Sequence, residues 1–250
     1  HRSLYFCQQE DPQQFKLAET IPGETTTILG ELSKTLGIVI VGSLFEQRAA
    51  GVYHNTAVVL DSDGSLAGIY RKMHIPDDPG YFEKYYFTPG DTGFNAISTS
   101  LGKLGVLVCW DQWYPEAARL MALDGAEILL YPTAIGWEHD AGESIRSTEL
   151  DAWLTVHRAH AISNCLPVLA CNRVGFEAEQ PGASRGIRFW GNSCIIDAQG
   201  TVLANAADEQ AGELVADIDL ALTGQLRTTW PFFRDRRIDA YDDLLKRYRS

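Results

Sequence analysis

The stretch from residue 104 to residue 131 constrains the fold more than any other. Residues 104–108 are an apolar run of strand length, Pro115 opens a helical stretch that ends at Asp124 with Gly125 just beyond it, and residues 128–131 are a second apolar run. Proline suits the first turn of a helix, where its missing N–H is not needed, and glycine suits the position past the end. A strand, a crossover helix and a strand bury their apolar faces only in layers, with a sheet covered by helices.

Other segments read compatibly. Residues 24–36 carry Ile28, Leu29, Leu32 and Leu36 at helical spacing, and Ile38-Val39-Ile40-Val41 follows as a buried-strand run. Residues 56–60 and 66–70 flank Asp61-Ser62-Asp63-Gly64, turn chemistry that joins two strands as a hairpin. The pattern recurs at 194–196 and 201–203 around Asp197-Ala198-Gln199-Gly200, while 148–163 reads as a helix and 167–170 as a strand. Hairpins mixed with crossover helices predict α/β or α+β layers. No solenoid repeat or low-complexity linker interrupts the 250 residues, so residues 1–250 are expected to form one domain, with 230–250 as an extended arm ending in a short helix. That arm holds Arg234-Asp235-Arg236-Arg237, and charged arms of this kind often dock on a neighbouring subunit.

Composition excludes several roles. A formal charge of −12 disfavours nonspecific attraction to nucleic acid or anionic membrane and suits a small-molecule or cationic partner. No apolar run approaches the roughly 20 residues needed to span a bilayer, and the opening His1-Arg2-Ser3-Leu4-Tyr5 lacks the apolar stretch of a secretory signal. Five cysteines without a CxxC pair form neither a disulfide framework nor a zinc site, which predicts a reducing, cytoplasmic setting.

Three residues are candidates for chemistry. Cys109 ends the apolar run Gly105-Val106-Leu107-Val108, and the turn Trp110-Asp111-Gln112 leads into the helix at Pro115. A nucleophile on a strand-to-helix turn sits near backbone N–H groups able to stabilise an oxyanion; the alternative is a buried structural thiol, the common state of free cysteines. Lys72 ends the strand Gly68-Ile69-Tyr70-Arg71 and is followed by a Pro- and Gly-rich loop to Gly90. A cation there lowers the pKa of a nearby thiol or binds developing negative charge, or else is a solvated lysine at a sheet edge. Glu83 lies in that loop among Tyr81, Phe82, Tyr85, Tyr86 and Phe87, either a buried, tuned carboxylate or an acid paired with a neighbouring cation.

Taken together, Tyr70-Arg71-Lys72, the loop with Glu83, the elbow Cys109-Trp110-Asp111-Gln112-Trp113-Tyr114-Pro115-Glu116 and Tyr131-Pro132-Thr133-Ala134 resemble the nitrilase superfamily of carbon–nitrogen hydrolases in order and spacing. The likeness runs along the whole chain. It is strongest to the branch that acts on N-carbamoylputrescine, through His74-Ile75-Pro76-Asp77, the run Phe87-Thr88-Pro89-Gly90-Asp91-Thr92-Gly93-Phe94, and Phe233-Arg234-Asp235-Arg236-Arg237.

The resemblance implies a four-layer αββα sandwich, homo-oligomers, no cofactor or metal, and a catalytic set of glutamate, lysine and cysteine with a second glutamate in the loop after the lysine. Lys72 matches the lysine, Cys109 the nucleophile, Glu83 the loop glutamate, and the Trp110 backbone N–H an oxyanion donor. The first glutamate, the expected base, would fall just before His1; Glu10 lies on the wrong side of the matching segment and is not promoted to that role. Either an N-terminal strand and helix precede residue 1, which the Met-free start favours, or the chain is an inert, nitrilase-like assembly module. A Glu within about five residues upstream of His1 in the native gene product separates the two.

The implied substrate is a small cationic ureido compound. Glu138 resembles the family residue that holds its distal amine, and Tyr81 a residue of the pocket wall; the plainer reading of Glu138 is an exposed loop acid. Relatives that bind carbamoyl amino acids are expected to carry an Arg pair soon after the cysteine, where this chain has Gln112 and Trp113. The implied reaction yields putrescine, carbon dioxide and ammonia, as in polyamine synthesis from agmatine. The competing reading is an amidase or ureidopropionase for another small amide or carbamoyl compound.

Overall fold

Glycines delimit the first long helix, α1 (Glu24–Leu36): Gly23 caps its start and Gly37, at φ +66°, ends it in the left-handed conformation. The structure is a computed structural model, and it describes residues 5–138, 140–207 and 210–249. The apolar residues that mark α1 do not all face inward. Leu29 packs inward, but Ile28, Leu32 and Leu36 are exposed, and the small residues Thr26, Gly30 and Ser33 are buried instead. Close approach explains this, since a Cβ on Gly30 would stand 2.7 Å from the Gly64 carbonyl oxygen.

Next come β1 (Ile40–Ala49), β2 (Val52–Leu60) and β3 (Leu66–Arg71), an antiparallel sheet in that order. The run expected as a buried strand over 38–41 needs correction: Ile38 is exposed and outside the strand, which begins at Ile40 and runs on to Ala49. The Asp61–Gly64 hairpin turn is present, with Gly64 at φ +89°, a conformation glycine adopts without steric cost.

Glu83 does not lie in an irregular loop, as expected, but opens a one-turn helix, α2 (Glu83–Tyr86). Then follow β4 (Ile97–Thr99), β5 (Gly102–Val106), a 3-10 turn over Cys109–Trp113, α3 (Pro115–Leu123), β6 (Ile128–Thr133) and β7 (Gly136–Glu138). The expected strand–helix–strand unit is therefore real, and β5 and β6 pair in parallel. Helix α4 (Glu143–Asn164) begins five residues before the expected 148. The remaining elements are β8 (Val168–Asn172), β9 (Val174–Ala178), β10 (Gly186–Trp190), β11 (Cys194–Ile196), β12 (Val202–Asn205) and α5 (Ala221–Thr229).

The second sheet has the order β12-β11-β8-β6-β5-β4, and β7-β10-β9 form a smaller third one. Helix α1 packs on β1 and β2, β3 packs on β4, and α3 and α4 cover β5, β8 and β11. The layers thus run helix, sheet, sheet, helix. Their shared core takes Ala57 and Val59 from the first sheet, Val106, Leu129 and Val168 from the second, and Trp153 from α4. Each large apolar side chain buried there contributes about 1.5–3 kcal/mol, and together they hold the two sheets face to face.

The arm ends in two short helices of the 3-10 kind, Ile238–Ala240 and Asp242–Leu245, and its Phe233 ring is flanked by the guanidiniums of Arg119, Arg227 and Arg236 at 5.3, 4.4 and 5.8 Å. The arm therefore begins by docking on its own α3 and α5. Among the described residues no helix is long and apolar enough to cross a membrane.

Candidate active site

Cys109 opens the 3-10 turn between β5 and α3 with φ +46°. The left-handed region costs a non-glycine residue roughly 1–2 kcal/mol, so the surroundings must impose it. The side chain of Asp111 supplies that constraint. Its Oδ2 accepts from the Val108 backbone N–H and from the Tyr70 hydroxyl, each at 2.9 Å. Its Oδ1 accepts from the His74 backbone N–H at 3.0 Å and lies 2.7 Å from His74 Nδ1. The imidazole stacks on Tyr114, ring centroids 3.6 Å apart. On the far side of the turn, Gln112 is pinned by Trp153 Nε1 on its side-chain oxygen and by His160 Nε2 at its carbonyl, at 2.7 and 2.8 Å.

Lys72 follows β3 and is buried, 1% exposed. Its Nζ lies 2.5 Å from Glu83 Oε2, and Glu83 Oε1 accepts from the Tyr5 hydroxyl at 2.8 Å. Burial alone would lower the Lys72 pKa, but the negative charge of Glu83 outweighs it and holds the ammonium above its ordinary value. Burial likewise pushes the Cys109 thiol up; Lys72 pulls it down, Glu83 pushes it up again, and the net shift is upward. The resting thiol is therefore protonated at neutral pH. Among the described residues its hydrogen-bond partner is the Ala134 carbonyl at 3.8 Å, and no carboxylate is in hydrogen-bond contact with it.

Cys109 borders two clefts. One of about 490 Å³ is lined by Tyr5, Cys7, Glu83, Cys109 and Cys171 among others. The second, about 630 Å³, has aromatic walls from Tyr81, Trp110, Trp113 and Trp190. It carries the carboxylates of Asp78, Glu138, Asp140 and Glu149, and no Lys or Arg lines it among the described residues. Glu138 is exposed, at the end of β7, and Tyr81 is held in the wall by a hydroxyl that donates to Gly136 O at 3.1 Å and accepts from Gly136 N at 2.9 Å. Burial and the charge of Glu138 raise the Glu149 pKa.

The fold thus gathers the residues singled out from the sequence: Lys72 joins Glu83, Cys109 borders both clefts, and Trp110, Tyr81 and Glu138 line the second. Sequence reasoning missed Tyr5, Asp111 and Glu149. Asp111 carried a local signal, a carboxylate placed to reach back to the backbone N–H at the start of its turn. Tyr5 and Glu83 are far apart in sequence, and no local pattern pairs them. Among the described residues no group of three or more His, Cys, Asp or Glu side chains could hold a metal ion.

A family model for carbon–nitrogen hydrolases matches residues 3–228. An N-carbamoylputrescine amidase of Solanum lycopersicum is 46% identical over 244 residues, 96% of this chain and 80% of that protein. A citrullinase of Francisella tularensis is 44% identical over 246 residues, covering 98% of this chain and 84% of that protein. The crystal structure of a carbon–nitrogen hydrolase from Helicobacter pylori superposes with a TM-score of 0.95 at 54% identity, covering 99% of this chain and 84% of that one.

Proposed function

The chain belongs to the carbon–nitrogen hydrolase family, and from that premise we propose that Cys109 is the nucleophile with which it removes the carbamoyl group from N-carbamoylputrescine. The observation that carries the choice of substrate is the second cleft, where Asp78, Glu138, Asp140 and Glu149 stand along aromatic walls next to Cys109 and no Lys or Arg lines the cavity among the described residues. A distal ammonium is attracted there, and a four-carbon chain lies along the indole and phenol faces.

Cys109 attacks the ureido carbon while the Lys72 ammonium and the Trp110 backbone N–H stabilise the oxyanion. A buried thiol with a raised pKa gives up its proton only to a base. Glu83 is committed to Lys72 and Tyr5, so the base is the first glutamate of the family's catalytic set, which Glu83 does not match. The base returns the proton to the departing ammonia. Water then cleaves the thiocarbamate, and the released carbamate decays to putrescine and carbon dioxide. Glu83 orients Lys72 throughout. The product places the reaction in polyamine formation.

The 44% identical citrullinase makes citrulline the rival substrate. Citrulline carries an α-carboxylate beside its α-ammonium; the ammonium suits this cleft, but the carboxylate would meet like charges there, with no Lys or Arg among the described residues that line it to offset them. Ammonia release from N-carbamoylputrescine, citrulline and N-carbamoyl-β-alanine is expected to favour the first by about 100-fold in kcat/KM. Citrulline turned over as well or better would overturn the assignment. Replacing Glu138 and Glu149 together by Gln is expected to raise KM for the cationic substrate about tenfold with kcat much less affected. An unchanged KM would remove the cleft from the reading.

A further inference from the structure

Lys72 directly follows β3 and Cys109 comes three residues after β5, strands of different sheets. Strand β3 belongs to the three-stranded sheet and β5 to the six-stranded one, and among the described residues no backbone ladder joins the two. One carboxylate bridges them. Val108, the residue before Cys109, gives its N–H to Asp111 Oδ2. Tyr70, two residues before Lys72, gives its hydroxyl to the same oxygen, and His74, two residues after Lys72, meets Oδ1 with both its N–H and its ring. We propose that Asp111 is a positioning residue, whose carboxylate ties the Lys72 strand end to the Cys109 elbow and fixes the spacing of ammonium and thiol. The proposal rests on the reading of Cys109 and Lys72 given above.

Several observations support it. Asp111 is fully buried, with 0% exposure, so its bonds are unscreened by water. A carboxylate offers about four acceptor positions, and the four partners of Asp111 fill them. That saturation excludes Asp111 as the base for the thiol, since Sγ is not among its partners. Burial and the charge of Asp111 also raise the Tyr70 pKa, so the phenol remains a donor. An amide of the same shape cannot keep the whole tie: each carboxylate oxygen takes one backbone N–H, from Val108 or from His74, and the NH2 of asparagine, whichever way it is turned, faces one of them. Either the elbow or the lysine strand is then released.

The test is Asp111→Asn in the full-length enzyme, read by turnover of N-carbamoylputrescine, by thermal melting and by the pH profile of Cys109 alkylation with iodoacetamide, localised by peptide mapping. A loosened reacting pair is expected to lower kcat about 100-fold with KM little changed. The alkylation profile should move to higher pH, because Lys72 no longer stays beside the thiol. If the asparagine variant fails to fold, the double variant Tyr70→Phe, His74→Phe keeps both backbone donors and the ring stack on Tyr114. It is expected to lower kcat about tenfold with the profile moved the same way. Folded protein that keeps the parent profile overturns the proposal, whether or not kcat falls. Parent-level turnover by Cys109→Ala would instead overturn the nucleophile assignment, and the alkylation profile would still report on the tie because it needs no turnover.

Discussion

Cys109→Ala is expected to abolish ammonia release, with a fall of at least about 10⁴-fold, because it removes the thiol that forms the thiocarbamate. Destabilisation should be slight. The side chain loses one sulfur atom, whose recorded hydrogen bond is a long 3.8 Å contact with Ala134 O, and alanine meets the same backbone penalty at φ +46°. A cost of about 1 kcal/mol or less corresponds to a melting shift of roughly 2–4 °C in a chain of this size. Steady-state ammonia release and a thermal melt of the same preparation separate the chemical effect from the structural one. Residual turnover near the parent level in a folded variant would sink the nucleophile assignment and with it the reaction proposed for Lys72. Cys7, Cys165 and Cys194 are also buried free thiols, so the contrast among Cys→Ala variants at the four positions is a direct check that the effect belongs to the elbow.

How much of this was legible in the sequence depends on the range of the interaction. The β2–β3 hairpin and α3 were readable because their signals are local: Gly64 and Gly125 take the positive φ that their positions require, and Pro115 opens α3. The start of α4 was not, since its N-cap is Gly142 with no side-chain cap bond, and its early turns carry Glu143, Ser144 and Arg146 in place of an apolar stripe. The sheet of β7, β10 and β9 was missed for another reason. It pairs Ile187 with Glu138 and with Glu177, short segments separated by a helix and by a turn. At the site, Cys109 and Lys72 could be named from strand ends, but their meaning came from a family resemblance. Their geometry rests on contacts such as Tyr5 with Glu83 and His74 with Asp111, which no sequence window contains. Glu149 carries no signal of its own in the sequence: it is one acid among the polar early turns of α4, and only the fold brings it into the cleft that Glu138 also lines.

Glu83→Ala is expected to cost about 3–5 kcal/mol of stability, because it leaves the Lys72 ammonium buried without its counter-charge. For a chain of this length that is a melting temperature lower by roughly 6–20 °C. The pH dependence follows from the raised Lys72 pKa. A cation whose folded pKa exceeds its unfolded value of 10.5 stabilises the fold fully below 10.5, and the contribution disappears as pH rises through the folded value. In Glu83→Ala the burial that lowers the Lys72 pKa is no longer offset by Glu83, so the deficit of the variant should be largest at low pH and shrink as pH rises towards 10.5, where the unpaired ammonium gives up its proton. Activity should vanish as well, but that alone does not distinguish a catalytic loss from a collapsed site. The double variant Lys72→Met, Glu83→Leu makes the distinction. Apolar replacement of a buried ion pair is commonly neutral or stabilising by about 1–4 kcal/mol, so this protein should melt near or above the parent while remaining inactive. Stable and inactive means that the pair is kept for the reaction at the expense of the fold. A double variant as unstable as Glu83→Ala would show instead that the 2.5 Å contact serves the structure, and recovered turnover would remove Lys72 from the mechanism.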